Sequence, residues 1–137
     1  MSDIYLMLFF NLMKSSEIPT LQNYHLEGIQ HILPADALEA IQNGSALLLD
    51  VREEHEYCAE NVDHEEVIHL PMSVISNQLN LIPRDKSLVV MCAGGIRSAR
   101  VVKFLIGNGF HDIANLDGGF MMWHALELPV KYFKDEI

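Results

Sequence analysis

Residues 87–105 read SLVVMCAGGIRSARVVKFL. An apolar run of strand length ends at Cys92, a glycine pair follows, and from about Ser98 the apolar positions recur at helical spacing. A short unbroken apolar run marks a strand buried on both faces, and such strands belong to parallel sheets covered by helices. The stretch therefore predicts a strand–turn–helix unit with a thiol at the carboxyl end of its strand. Open α/β sheets collect their functional groups at that edge.

The same alternation extends in both directions. ALLLDV (46–51), EVIHL (66–70) and DIANL (112–116) read as further strands. Helical patterns lie between and after them in PADALEAIQNG (34–44), REEHEYCAE (52–60), SVISNQLNLI (73–82), SARVVKFLIGNG (98–109) and GGFMMWHAL (118–126). Pro34 stands near the start of the first of these and Gly44 at its stop. Strands alternating with helices predict an α/β fold, a mainly parallel central sheet of about five strands with helices on both faces.

Composition narrows the function classes. The 137 residues fit one domain with its own core. A formal charge of −10, with ten Asp or Glu between Asp36 and Glu66, argues against a nucleic-acid partner. Cys58 and Cys92 form no C-x-x-C pair, and the seven histidines form no H-E-x-x-H, so neither a disulfide framework nor a metal site is expected, and no cofactor is implied. Free thiols fit a reducing compartment, and a cytoplasmic location is expected. IYLMLFFNLM (4–13) is well short of the roughly 20 residues a membrane-spanning helix needs, and it lacks the flanks of a signal peptide. It reads as a short helix whose apolar surface must be covered, and a homodimer through residues 4–13 is expected in preference to membrane association. The polar KSSEIPTLQNYHLEG (14–28) reads as a connector. The expected organisation is residues 1–31 as apolar segment and connector, 32–130 as the domain and 131–137 as a tail.

Cys92 has the surroundings of a nucleophile. In the turn Ala93-Gly94-Gly95-Ile96-Arg97, backbone N–H groups can point inward as a nest, with the following helix adding the positive end of its dipole. Gly94 and Gly95 permit the backbone such a turn requires. Arg97 adds a cation, and Ser98 opens the helix. Such a setting stabilises a thiolate. The alternative is a buried strand-end cysteine serving as a small hydrophobe. Cys58 sits among acids in EYCAEN and has no comparable setting.

LLLDVREEHEY (47–57), HLP (69–71), VVMCAGGIRSA (89–99) and NLDGGFMMWHALELPV (115–130) together resemble, in order, the signatures of single-domain rhodaneses, the sulfurtransferase family. The resemblance covers about residues 32–130. It implies a rhodanese-like fold in which Cys92 carries a persulfide and residues 93–97 form the active-site loop. Asp50 and Arg52 match the family's Asp-Val-Arg motif, as positioning groups or a structural ion pair, while Gly118, Gly119 and Trp123 match its C-terminal one. The implied reaction moves a sulfane sulfur from a small donor anion or a persulfide-bearing protein to a thiol acceptor or a cyanide-like one. Arg97 would orient the loop or meet an anionic donor. Phosphatases and arsenate reductases of similar fold have one residue more between cysteine and arginine than the four found here, so sulfur transfer is the expected chemistry. Rhodanese-like binding modules usually lack the cysteine, which this chain keeps. EYCAENVDHEEVIHLP (56–71) departs from the family pattern: it lacks the usual glycines, and if it borders the active site its acids would disfavour small anions. Thiosulfate is accordingly expected to be a poorer donor than a protein-bound persulfide.

Overall fold

The structure, a computed structural model, describes residues 13–133. The segment 4–13, with the homodimer expected through it, lies outside these residues except for Met13, which is buried. In chain order the elements are β1 (Ser15–Ser16), β2 (His31–Ile32), α1 (Pro34–Gln42), β3 (Ala46–Asp50), α2 (Glu54–Ala59), β4 (Glu60–Val62) and β5 (Val67–His69). Two 3-10 turns follow at Ile75–Asn77 and Leu79–Leu81, then β6 (Ser87–Met91), α3 (Ile96–Gly107), β7 (Ile113–Leu116), α4 (Gly119–Ala125) and β8 (Val130–Tyr132). The main sheet runs β1-β2-β7-β6-β3-β5. Its pairs are parallel except β1 with β2, which gives five parallel strands and one antiparallel edge strand. β4 and β8 form a separate antiparallel pair.

Strand alternation sorts the core into two layers. Leu47 and Leu49 of β3 and Leu88 and Val90 of β6 face α3, meeting Val101, Val102 and Leu105. Ala46, Leu48, Val89 and Met91 face the other way, onto Ala37 and Ile41 of α1 and Phe120 and Trp123 of α4. Cys92 continues the alternation of β6 and lies in the α3 layer. Both sheet faces are thus covered, as the apolar runs require.

Several elements differ from the sequence reading. Within EVIHL, Val67–His69 form β5 at the sheet edge and are half-buried rather than fully enclosed. SVISNQLNLI makes two 3-10 turns instead of an α-helix. Ser76, Asn77 and Asn80 are weak helix formers, and Pro83 closes the segment. α3 begins at Ile96, earlier than the spacing indicated, because Gly95 in the left-handed region at φ 94° serves as its N-cap. Residues 15–16 and 31–32 add strands to the sheet, and Lys131 and Tyr132 pair with β4.

One contact fixes the Cys92 turn. The first amides of α4 reach back to it: Phe120 N–H donates to the Cys92 carbonyl at 2.8 Å and Met121 N–H to the Ala93 carbonyl at 2.9 Å. This approach needs Gly119, at φ 65°, where a Cβ would lie 2.6 Å from the Ala93 oxygen and 2.7 Å from the Cys92 oxygen. Gly119→Ala should therefore destabilise the domain by roughly 2–4 kcal/mol, from left-handed strain and overpacking against backbone. Gly107→Ala, where an added Cβ meets nothing within 4 Å, should be neutral or stabilise by up to about 1 kcal/mol. Paired denaturant titrations measure both. Equal stabilities for the two variants would contradict the close approach.

Candidate active site

Cys92 lies at the base of the loop, 1% exposed. Its Sγ accepts the Gly95 N–H at 3.1 Å and stands 3.1 Å from the Ser98 hydroxyl, with which it is hydrogen-bonded. The carbonyls of Cys92 and Ala93 are occupied by α4. In a planar trans peptide the N–H points opposite to the C=O. The Ala93 and Gly94 amides are therefore turned to the side away from α4. The Gly95 carbonyl accepts from Gln22 Nε2 at 3.1 Å, and Gln22 Oε1 accepts the Gly118 N–H at 2.8 Å, so one side chain bridges the loop to the start of α4. Ala93 and Gly94 are half-exposed, and an added Cβ at Gly94 meets nothing within 4 Å, so this side of the loop is open. Ile96 points largely into solvent.

The structure joins Cys92, Gly95 and Ser98 directly and keeps the other sequence-predicted residues at a remove. Arg97 forms a bidentate pair with Glu56 of α2, both bonds 2.8 Å. Glu56 also closes a capping box with Glu53. The loop's one cation thus pins the loop to α2. Asp50 and Arg52 form a buried pair: the guanidinium donates to both carboxylate oxygens at 2.9–3.2 Å and to the Glu60 carbonyl at 2.8 Å, and it stacks over the Phe120 ring at 4.1 Å. Neither residue bonds Cys92. Cys58 is exposed on α2. Gln22, His31, Glu56 and Asn115 escaped the sequence reading. Only Asn115 carried a signal, being a polar residue inside a buried strand, where it must find partners. Among the described residues no group of His, Cys, Asp or Glu is placed to hold a metal ion, and no helix is long and apolar enough to cross a membrane.

Comparison with known proteins supports the fold. Residues 33–126 match the family described as Rhodanese-like domain. A protein of Pseudomonas savastanoi pv. phaseolicola named thiosulfate sulfurtransferase GlpE is 31% identical over 93 residues, covering 68% of this chain and 86% of its own length. The protein of the same name from Actinobacillus pleuropneumoniae is 30% identical over 105 residues, 77% of this chain and 95% of its own. Among solved structures, a rhodanese-related protein from Thermoplasma volcanium superposes with a TM-score of 0.67 at 34% identity, covering 74% of this chain and 96% of that one.

The Glu56–Arg97 pair should be visible in the acid titration of the fold. The Arg97 hydrogen bonds chiefly, with burial opposing, lower the Glu56 carboxyl from its ordinary value to about 2. Arg97 is raised in turn, mainly by the same bonds. A depressed carboxylate stabilises the fold above its ordinary value, and that contribution is lost as pH falls through 4.5 toward about 2. Glu56→Gln should cost about 1 kcal/mol at neutral pH, the pair being partly exposed. It should also flatten the loss of stability below pH 4.5. Urea titrations across that range test this, and parallel curves for variant and parent would count against the pair.

Proposed function

The chain belongs to the rhodanese-like domain family, and from that premise we propose that it transfers sulfane sulfur through a persulfide on Cys92. The observation that carries the reading is the Cys92 sulfur itself, which accepts the Gly95 amide in a loop whose first two carbonyls are turned to α4. Backbone N–H groups fixed beforehand around a sulfur stabilise negative charge without reorganisation.

The Cys92 thiolate attacks the outer sulfur of a donor. A new S–S bond forms, the donor's bond to that sulfur breaks, and the donor leaves with the electron pair as sulfite or a thiolate. An acceptor thiolate then attacks the outer sulfur of the persulfide and Cys92 leaves as the thiolate. The two half-reactions predict ping-pong kinetics. The negative outer sulfur of the persulfide would be held by the loop amides, and Ser98 faces the inner one. Asp50 and Arg52 act as a structural pair that fixes the sheet edge.

The relatives named above are thiosulfate sulfurtransferases by name, but the donor favoured here is a persulfide borne by a small molecule or a protein. Arg97 is already neutralised by Glu56, so a dianionic donor would meet little uncompensated positive charge at the loop. The acceptor is a thiol, and a reducing compartment suits both partners.

Cys92→Ser should abolish transfer while keeping the fold, because a hydroxyl forms no persulfide, whereas Cys58→Ser should retain parental activity. Intact-protein mass spectrometry after exposure to glutathione persulfide should show one added sulfur, absent in Cys92→Ser. Thiosulfate should load the protein at least ~10-fold more slowly. Sulfur found on Cys58, or an unloaded parent, would overturn the reading and favour a non-catalytic binding module.

A further inference from the structure

Beyond Ser98 the polar contacts of Cys92 continue inward. The Ser98 hydroxyl lies between Cys92 Sγ and Asn115 Oδ1 and is within hydrogen-bond distance of both. Asn115 Nδ2 stands 3.2 Å from His31 Nδ1, and His31 Nε2 is 2.9 Å from Nδ1 of His25, an exposed residue. Ser98, Asn115 and His31 are all buried. We propose that Asn115 and His31 are positioning residues for sulfur transfer, deciding which acceptor takes the single hydrogen of the Ser98 hydroxyl. This rests on the persulfide reading of Cys92.

A serine hydroxyl has one hydrogen, so Ser98 cannot donate to sulfur and amide at once. The Asn115 amide is oriented by its other neighbours. Nδ2 faces the Gly95 carbonyl at 3.5 Å and Gln22 Oε1 at 3.4 Å, and both are acceptors only. Oδ1 is left to face Ser98. Because Nδ2 donates to it, His31 Nδ1 must be an acceptor, which puts the ring hydrogen on Nε2, donated to His25. Burial first, then His25, lower the His31 pKa, with Asp117 opposing, and the neutral ring keeps this role. Lys14 lines the same outer cleft as His31 and Asp117.

The chemistry follows from the one hydrogen. In the thiol, Cys92 S–H donates to Ser98, which donates to Asn115. In the thiolate the hydroxyl hydrogen turns to Sγ and Asn115 Oδ1 loses its donor, an unfavourable state for a buried acceptor. When the persulfide forms, the negative charge moves to the outer sulfur and the hydroxyl returns to Asn115. Asn115 thus competes with the bare thiolate and is at ease with the loaded form. A His31 that could not accept would leave Nδ2 only the longer Gln22 and Gly95 contacts, so that Oδ1, less firmly held, would compete less for the hydroxyl hydrogen, which would pass more readily to Sγ.

The test is the pH profile of Cys92 alkylation by iodoacetamide in the full chain carrying Cys58→Ser. His31→Leu removes the acceptor and should move the midpoint to lower pH by about half a unit or more, since a hydrogen bond to the charged form favours it. His31→Asn, which keeps an oxygen near the Nδ1 position, should retain the parental profile. In a Ser98→Ala background His31→Leu should have no effect. A parental midpoint in His31→Leu, or an equal shift with Ser98 absent, would overturn the proposal and leave a packing role. A second measurement needs no variant: nitrogen-15 spectra of the histidines should show His31 as the Nε2–H tautomer, and the Nδ1–H tautomer would refute the scheme. Both readouts follow the thiol without any sulfur donor, so an unloaded parent protein would defeat the transfer reading and leave this result intact.

Discussion

The site depends on one backbone contact, the amides of Phe120 and Met121 donating to the carbonyls of Cys92 and Ala93. A strand that ends in a turn would ordinarily leave its carbonyls and amides to solvent. Here α4 takes two carbonyls, and peptide planarity does the rest, turning the following amides away from α4. The contact requires a helix start without a side chain, which Gly119 supplies. It also requires α4 to be fixed in place, which the burial of Trp123 and its indole bond to the Pro129 carbonyl at 3.0 Å secure.

The charged groups serve the same edge. Asp50 and Arg52 are buried, and a buried ion pair stabilises little unless its remaining donors and acceptors are satisfied. Asp50 accepts the Arg52 backbone amide as well as the guanidinium, which itself reaches the Glu60 carbonyl. The guanidinium covers the ring of Phe120, whose amide holds the Cys92 carbonyl. The pair therefore links the end of β3, the start of β4 and the start of α4. Arg97 and Glu56 form a second link, from the loop to α2, a helix that buries no side chain. For α2, whose packing is slight, the attachments are the bidentate pair, the amide and hydroxyl of Ser73 donating to Glu53, and the stacking of Tyr57 on His69 at 4.1 Å.

Much of this was legible in the sequence, because parallel strands enclosed on both faces read as unbroken apolar runs and a glycine pair after such a run marks a turn at the carboxyl edge of the sheet. SLVVM and ALLLD announced β6 and β3, and Cys92 marked the candidate site. Other parts were not. β1 and β2 hold two residues each, too few for any periodicity. Which of the acids in REEHEYCAE would meet Arg97 depends on the helix phase and on the tertiary approach of α2. SVISNQLNLI carried apolar spacing compatible with a helix, but its serines and asparagines are weak helix formers, and it folds as two 3-10 turns.

The least legible part is the one that closes the loop from behind. The family match begins at residue 33, yet Thr20 and Leu21 donate their amides to Asp117, Gln22 spans Gly95 and Gly118, and His31 reaches Asn115. A Cβ at Gly95 would fall 1.8 Å from Gln22 Oε1, so the loop and the connector are fitted to each other at that point. A polar connector shows no hydrophobic period, and its contacts span 73 residues or more for Gln22 with Gly95 and 84 for His31 with Asn115. Such side-chain pairings need the sheet to bring β2 beside β7 and the connector across the carboxyl edge of its strands. The candidate site is therefore placed by the family's strand, loop and helix, and its hydrogen bonding is completed by residues that precede them.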